Sequence, residues 1–180
     1  MQAYRLIPHP AHPSTAVTSV EAKVGGDDPN WLQLRWRIEG SSKLLLPPIT
    51  GKLRADDLWQ ATCLELFVKP EGGHAYSEWN LSPSRRWAAY DFASYREGMC
   101  NRDVSRTPDC VMRPGSIFAI FDAAIPRSEL PQEPCAIGLS AVIEEEGGQK
   151  SYWALAHPSG KADFHHAACF AATLDPRGVA

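Results

Sequence analysis

The chain has 180 residues, with 18 basic and 21 acidic side chains and a formal net charge of −3, a length and composition typical of one folded domain. No run of Lys and Arg forms the basic patch of a nucleic-acid-binding protein, and no apolar run approaches the ~20 residues that span a bilayer. The 13 glycines and 15 prolines exceed the roughly 12% combined share of an average protein, so they leave little room for long helices.

The start of the chain and its cysteines indicate a cytoplasmic protein. The segment MQAYRLIPHPAHPSTA lacks the apolar stretch of a secretory signal. The cysteines are odd in number and contain no CxxC pair, which argues against a disulfide framework or a structural zinc site. We therefore expect reduced thiols at Cys63, Cys100, Cys110, Cys135 and Cys169.

Alternation of apolar and polar residues predicts a series of short strands. In residues 63–69 (CLELFVK), for example, Leu64 and Leu66 share one face while Glu65 and Phe67 share the other. The full series in chain order is residues 3–7, 17–24, 31–38, 63–69, 75–81, 86–92, 116–125, 135–145, 151–156 and 170–174. Turn signals between these runs predict an all-β fold: a single antiparallel β-sandwich, of jelly-roll or immunoglobulin-like type, over residues 1–180.

The connections carry further predictions. Residues 44–58 and 95–113 are long for hairpin loops, so they are either functional loops over a sheet face or surface insertions. We expect short helical turns only, near residues 55–59 and 128–130. The acidic residues 144–146 before Gly-Gly predict a solvated hairpin tip.

Two blocks of motifs point to a known family. The first contains Arg54, Asp57-Leu58-Trp59-Gln60, Thr62-Cys63, Glu65-Leu66-Phe67, Tyr76, Asn80, Ser82-Pro83, Trp87-Ala88-Ala89-Tyr90 and Tyr95-Arg96. The second is SYWALAHPSGKADFHHAACF, residues 151–170. Together they cover about two fifths of the chain and resemble the bacterial DOMON-like family, which is related to family 9 carbohydrate-binding modules and to cytochrome-type DOMON domains.

The resemblance implies an antiparallel β-sandwich whose concave sheet or rim holds a ligand, usually a sugar or haem. Two positions depart from the family pattern. Ala55-Asp56 adds a charge where the family is often rich in glycine. Trp79 replaces the common phenylalanine before the asparagine motif, and it would fill or enlarge a stacking surface.

A sugar site needs flat apolar faces for the C–H side of a pyranose and placed polar groups for its hydroxyls. The candidates for stacking are Trp59, Trp79, Trp87 and Trp153, and those for hydrogen bonds are Arg54, Glu65, Asn80 and Asp163, with His157 or His165 at the rim. The alternative is that these tryptophans are core residues, as aromatic residues in strands usually are. Trp59 is the best candidate for exposure because it lies at a loop-to-strand junction.

Two polar strand residues have competing interpretations. Glu65 shares a face with apolar side chains, and a buried carboxylate is costly unless it is paired or hydrogen-bonded. Arg54 or Arg96 would be its partner, either in a ligand site or in a structural ion pair. Asn80 contacts a ligand or stabilises the turn at Ser82-Pro83.

Metal and haem are alternatives to the sugar. Histidine and carboxylate groups are concentrated in residues 157–166, but no HExxH or paired-cysteine spacing is present, so we predict no metal site. Haem would need an axial ligand, with Met99, Met112, His157, His165 and His166 available.

The function predicted from the sequence is non-catalytic binding of a small polar ligand, most simply a saccharide. No GxSxG, P-loop or GxGxxG motif is present, and Cys63 has no evident histidine partner, so it is interpreted as an inert thiol. The alternatives are a haem-binding or electron-transfer domain, and a protein-interaction sandwich without a small ligand. The oligomeric state is left open.

Overall fold

A computed structural model describes residues 1–175, which form twelve strands and four 3-10 turns of three residues each. The strands are β1 (Gln2–Pro8), β2 (Ser19–Gly25), β3 (Trp31–Glu39), β4 (Cys63–Pro70), β5 (Tyr76–Leu81), β6 (Trp87–Phe92), β7 (Cys100–Asn101), β8 (Asp109–Arg113), β9 (Phe118–Pro126), β10 (Cys135–Glu145), β11 (Gln149–Ala154) and β12 (Ala172–Leu174). Within residues 1–175, no helix is long and apolar enough to cross a membrane. All five cysteines are free, and Cys100 alone among them is exposed.

The strands form one continuous antiparallel path in the order β7-β6-β5-β4-β10-β11-β1-β2-β3-β9-β8, and β12 pairs with β10 beside it. Strand β1 connects the two halves because it pairs with β2 along its first residues and with β11 at Ile7 and Pro8. Apolar side chains from both halves, such as Trp36 from β3 and Trp79 from β5, pack into one core. The sheet therefore curls around one main core, and the prediction of an all-β fold with almost no helix is confirmed.

The side chains of β4 alternate between two faces of the sheet, as predicted. Leu64 and Leu66 lie in the main core, while Phe67 points to the opposite face and packs with Tyr76 and Phe92 in a second apolar cluster. Because neighbouring strands keep the same alternation, the polar residues on this second face of β4, β5 and β6 lie side by side.

Two predictions about the connections are corrected. Residues 95–113 contain the short strands β7 and β8, which the sequence pattern did not predict. Glu145 is fully buried, so the predicted solvated hairpin tip is wrong at this residue. Its carboxylate accepts the backbone N–H groups of Thr15 at 2.7 Å and Ala16 at 2.6 Å, which explains how the charge is accommodated.

Candidate functional site

A cavity of about 930 Å³ lies against the second face of the sheet. Strands β4, β5, β6, β10 and β11 supply Glu65, Phe67, Glu78, Asn80, Tyr90, Phe92, Val142 and Tyr152. The short strand β7 supplies Asn101, and the connecting segments supply His12, Asp56, Asp57, Trp59, Arg96, Met99, Lys161, Ala162, Asp163, Phe164 and His165. The cavity therefore combines a floor built on strands with walls built mainly from loops. Both long connections, residues 44–58 and 95–113, contribute to it.

The floor carries two buried carboxylates and two neutral polar groups. On β4, Glu65 stands opposite Asn80 of β5 and opposite Ser140 of β10. Ser140 Oγ donates to Glu65 Oε2 at 2.9 Å, and Asn80 Nδ2 donates to Glu78 Oε1 at 2.8 Å. Each carboxylate thus receives one hydrogen bond from a neutral donor.

Burial changes the ionisation of both carboxylates. Glu65 is 2% exposed, and burial together with the nearby Glu78 raises its pKa to about 8, against the opposing hydrogen bond from Ser140. Burial also raises the pKa of Glu78, although the Asn80 hydrogen bond and the charge of Arg96 oppose the shift. Burial therefore favours the protonated, uncharged form of the Glu65 carboxyl group near neutral pH.

His165 contacts the polar residues of this floor but does not supply a positive charge to its carboxylates. Its Nδ1 lies 2.8 Å from the Tyr76 hydroxyl, and its Nε2 lies 3.7 Å from Glu78 Oε2. The ring packs edge-on against Phe67 and Phe92. Burial, with the nearby positive charge of Arg96, lowers the pKa of His165 to about 4, so the imidazole is neutral at pH 7.

One wall is closed by an ion pair and another presents an aromatic face. Arg96 Nη2 lies 2.8 Å from Asp163 Oδ1, and the Tyr95 hydroxyl donates to the same carboxylate. Although burial acts to raise it, these hydrogen bonds hold the pKa of Asp163 below its usual value. Trp59 lies in the 3-10 turn Leu58–Gln60, which the chain enters through Asp57 with a φ of 59°. Trp59 is 50% exposed.

Five of the nine predicted site residues line this one cavity: Trp59, Glu65, Asn80, Asp163 and His165. Two local predictions about them are corrected. The partner of Glu65 is Ser140 rather than Arg54 or Arg96. The Asn80 amide donates to Glu78 rather than to the turn at Ser82-Pro83.

The other four predicted site residues lie outside the cavity. Trp87 and Trp153 are buried in the main core, as is Trp79, so we assign them to packing. The Arg54 guanidinium donates to backbone carbonyls and stacks over Trp87, which holds the connections around β6. His157 Nε2 lies 2.8 Å from the carbonyl oxygen of Ile7, so it contacts the C-terminal end of β1.

Several residues that line the cavity were not predicted from the sequence, above all Glu78, Tyr90 and Tyr152. Glu78 had a usable signal, because it lies two residues before Asn80 on the same face of β5. Tyr90 pairs with Glu78 across β5 and β6, and its hydroxyl donates to Asp56 at 2.6 Å. Burial, together with this hydrogen bond, raises the pKa of Tyr90.

A metal ion and haem place different demands on these residues. Within residues 1–175, no group of three or more His, Cys, Asp or Glu side chains is arranged to hold a metal ion. Of the candidate axial ligands for haem, Met99 and His165 line the cavity. An axial bond to His165 would displace either its hydrogen bond to Tyr76 or its contact with Glu78, so the residues present do not fit haem without rearrangement.

Comparison with known proteins gives a likeness of fold. No family model and no curated protein matches the chain. Among solved structures, the chain is similar to a proposed carbohydrate-binding protein from Bacteroides uniformis, with 13% identity, a TM-score of 0.64 and coverage of 96% of this chain and 84% of that one. It is also similar to a family 9 carbohydrate-binding module from Caldicellulosiruptor kristjanssonii in complex with cellotriose, with 13% identity, a TM-score of 0.51 and coverage of 86% and 74%. At these identities the comparisons show that the chain shares the fold of these proteins.

Proposed function

We propose that this protein binds a saccharide in the cavity and does so without catalysis. The observation that carries the proposal is the half-exposed Trp59 at the wall of a cavity whose floor presents Glu65, Glu78 and Asn80. An indole face accommodates the C–H side of a pyranose, and carboxylate and amide groups bind its hydroxyls. Asp163 and His165 complete the set of polar groups around the ring.

The comparisons support this proposal by analogy. One similar structure is a family 9 carbohydrate-binding module with cellotriose bound, and the DOMON-like resemblance in the sequence leads to the same group of proteins. We propose accordingly that the curled sheet is a DOMON-like β-sandwich. The cytoplasmic location stays a prediction from the sequence.

Binding can be tested by titration calorimetry and thermal shift with glucose, cellotriose and other oligosaccharides. A ligand that binds only the folded protein raises its melting temperature by mass action. We expect Trp59→Ala to abolish binding while the melting temperature of the free protein stays within a few degrees, since half of this side chain is already in water. Trp31→Ala is the matched control because Trp31 lies on β3, outside the cavity.

Tryptophan fluorescence provides a second readout. Trp36, Trp79, Trp87 and Trp153 are buried, so stacking on Trp59 should dominate any change in emission on sugar binding. No response to any saccharide in calorimetry, with a Soret band after growth with haem precursor, would overturn the proposal in favour of haem. Concentration-dependent assembly without any response to small ligands would favour an interaction module instead.

A further inference from the structure

On the cavity floor, two carboxylate oxygens have no hydrogen-bond donor among the described residues. One oxygen of each buried carboxylate has a neutral donor, as described above. For Glu65 Oε1 and Glu78 Oε2, the structure contains no hydrogen-bond donor within residues 1–175, since His165 Nε2 is 3.7 Å from the latter. Both side chains line the cavity and are 2% and 8% exposed. When Glu65 is ionised, these two oxygens are therefore acceptors left for a ligand.

Among the described residues that line the cavity, carboxylates also outnumber permanently cationic side chains. Five carboxylates line it: Asp56, Asp57, Glu65, Glu78 and Asp163. Among the described lining residues, the permanent cations are Arg96, which pairs with Asp163, and the exposed Lys161. Arg96 acts on Glu78 through its charge, but Glu65 has no cationic partner. Without a counter-ion the buried Glu65 carboxyl group keeps its proton, and a ligand that brings a positive charge would allow it to ionise.

We propose that the cavity selects an amino sugar, whose ammonium group donates to Glu65 Oε1 and Glu78 Oε2. This inference rests on the proposed saccharide function and names the class of saccharide. An ammonium group carries three donors and no acceptor, which matches a floor with two free acceptor oxygens. Phe67 and Tyr90 are the cross-strand neighbours of Glu78, and both line the cavity together with Phe92; aromatic faces attract cations.

The proposal has a defined proton balance. In the free protein Glu65 carries a proton at pH 6, because its pKa is about 8. The amine of an amino sugar is also protonated there, as an α-amino group with a pKa near 8 would be. When the ammonium forms its hydrogen bond to Glu65, the carboxyl group ionises and its proton passes to the buffer. A neutral sugar leaves Glu65 protonated and releases none.

Other titratable groups near Glu65 must be considered in this balance. They are Cys63 on β4, Glu78 on β5, and Arg96, Asp163 and His165 on the loops. Burial raises the pKa of Cys63 well above its usual value, and His165 is already neutral, so neither changes charge near pH 6. Glu78, whose pKa is also raised, is the one neighbour able to share the titration with Glu65.

The test uses three trisaccharides with the same β-1,4 linkage: cellotriose, the glucosamine trimer and the N-acetylglucosamine trimer. Titration calorimetry at pH 6 in phosphate and in MES measures affinity and proton release together. We expect the glucosamine trimer to bind about tenfold more tightly than cellotriose, because its charge-assisted hydrogen bonds to both Glu65 and Glu78 outweigh the cost of ionising Glu65 below its pKa of about 8. We expect it to release about one proton, whereas the acetylated trimer releases none.

Variants separate the floor from the rest of the site. Glu65→Gln should bring the affinities of the glucosamine trimer and cellotriose together and abolish proton release, while cellotriose still binds. Glu78→Gln is the second variant, in case the first fails to fold by circular dichroism. Glu71→Gln, at an exposed position outside the cavity, should retain the preference.

Different results would contradict the amino-sugar inference alone and the saccharide proposal as a whole. Equal affinity for cellotriose and the glucosamine trimer, or no proton release, overturns the amino-sugar inference and leaves saccharide binding intact. No binding of any trisaccharide overturns both. Binding of ethanolamine as tight as that of the glucosamine trimer shows that the sugar ring contributes nothing, which also overturns both.

Discussion

The Arg96 guanidinium lies 2.8 Å from the Asp163 carboxylate, and this pair joins the segment after β6 to the segment after β11 across one wall of the cavity. Arg96 has a φ of 56°, a left-handed conformation that is uncommon for residues other than glycine. Its backbone N–H donates to the Tyr76 hydroxyl at 3.2 Å. Contacts from both its backbone and its side chain therefore hold Arg96 in this conformation and define the wall.

Asp163→Asn tests the wall. The arginine is 52% exposed, so we expect a loss of at most about 1 kcal/mol in the free energy of unfolding, together with weaker saccharide binding. Because the folded protein lowers the pKa of Asp163, this contribution is present above the unfolded pKa near 4 and disappears as the pH falls through the folded value.

Urea unfolding at pH 6 and at pH 3 measures this effect. The difference between wild type and Asp163→Asn should be present at pH 6 and should shrink at pH 3. Asp103→Asn is the control because that aspartate is exposed. A variant that matches wild type in both stability and binding at pH 6 would show that the ion pair does not organise the wall.

Glu65→Gln should change the pH dependence of stability in the opposite sense. The pKa of Glu65 is raised to about 8, so the folded state holds a proton that the unfolded state loses above the usual pKa near 4.3. This group's contribution is fully present below pH 4 and is lost as the pH rises towards 8, at up to about 1.4 kcal/mol per pH unit. The variant should flatten the decline.

The measurement is the free energy of unfolding in urea at each pH unit from 5 to 9. Glu133→Gln, at an exposed position between β9 and β10, supplies the comparison and should keep the wild-type slope. If Glu65→Gln also retains the full slope, the carboxylate is ionised in the folded protein and the assigned protonation is wrong.

Much of the sheet is predictable because its local pattern agrees with its burial. Strand β10 occupies the predicted residues 135–145, and the alternation in β4 placed Glu65 and Phe67 together on the face that forms the cavity. Side chains in a strand alternate with a period of two, so the relative placement of neighbours within a strand follows directly from the sequence.

The parts of the site that depend on distant segments were not predictable in this way. Trp59 and Trp87 are equally apolar, yet one lies at the cavity wall and the other in the core, because packing against other strands decides which side of the sheet is covered. The partner of Glu145 lies about 130 residues away at Thr15, and nothing in the local sequence indicates it.

Glu145→Ala should destabilise the protein by about 3 kcal/mol. The carboxylate accepts backbone N–H groups from Thr15, Ala16 and Val17, and its loss leaves these donors without their partner in a partly buried place. Glu146→Ala, one residue further along the hairpin and exposed, should change stability by less than about 0.5 kcal/mol. Chemical denaturation measures both, and equal effects would contradict the role assigned to Glu145.

Arg54→Lys separates a structural role from the ligand contact that the sequence predicted. The guanidinium donates to the carbonyl oxygens of Ala89 at 2.5 Å and Arg102 at 3.1 Å, and to the Asn101 side chain at 2.9 Å. Lysine keeps the charge but lacks the planar fork that reaches several acceptors at once. We expect a loss of about 1–2 kcal/mol in the free energy of unfolding, with the affinity for saccharide changed less than about threefold.

Arg86→Lys is the matched control for this substitution. Arg86 donates through Nε to a single side-chain acceptor, Thr50 Oγ1 at 3.0 Å, so its replacement should cost less than about 0.5 kcal/mol. Arg54 does not line the cavity, but it contacts Asn101 and Tyr90, which do, so it influences the ligand through the positions of these residues. A tenfold loss of saccharide affinity in Arg54→Lys with unchanged stability would instead place Arg54 in direct contact with the ligand.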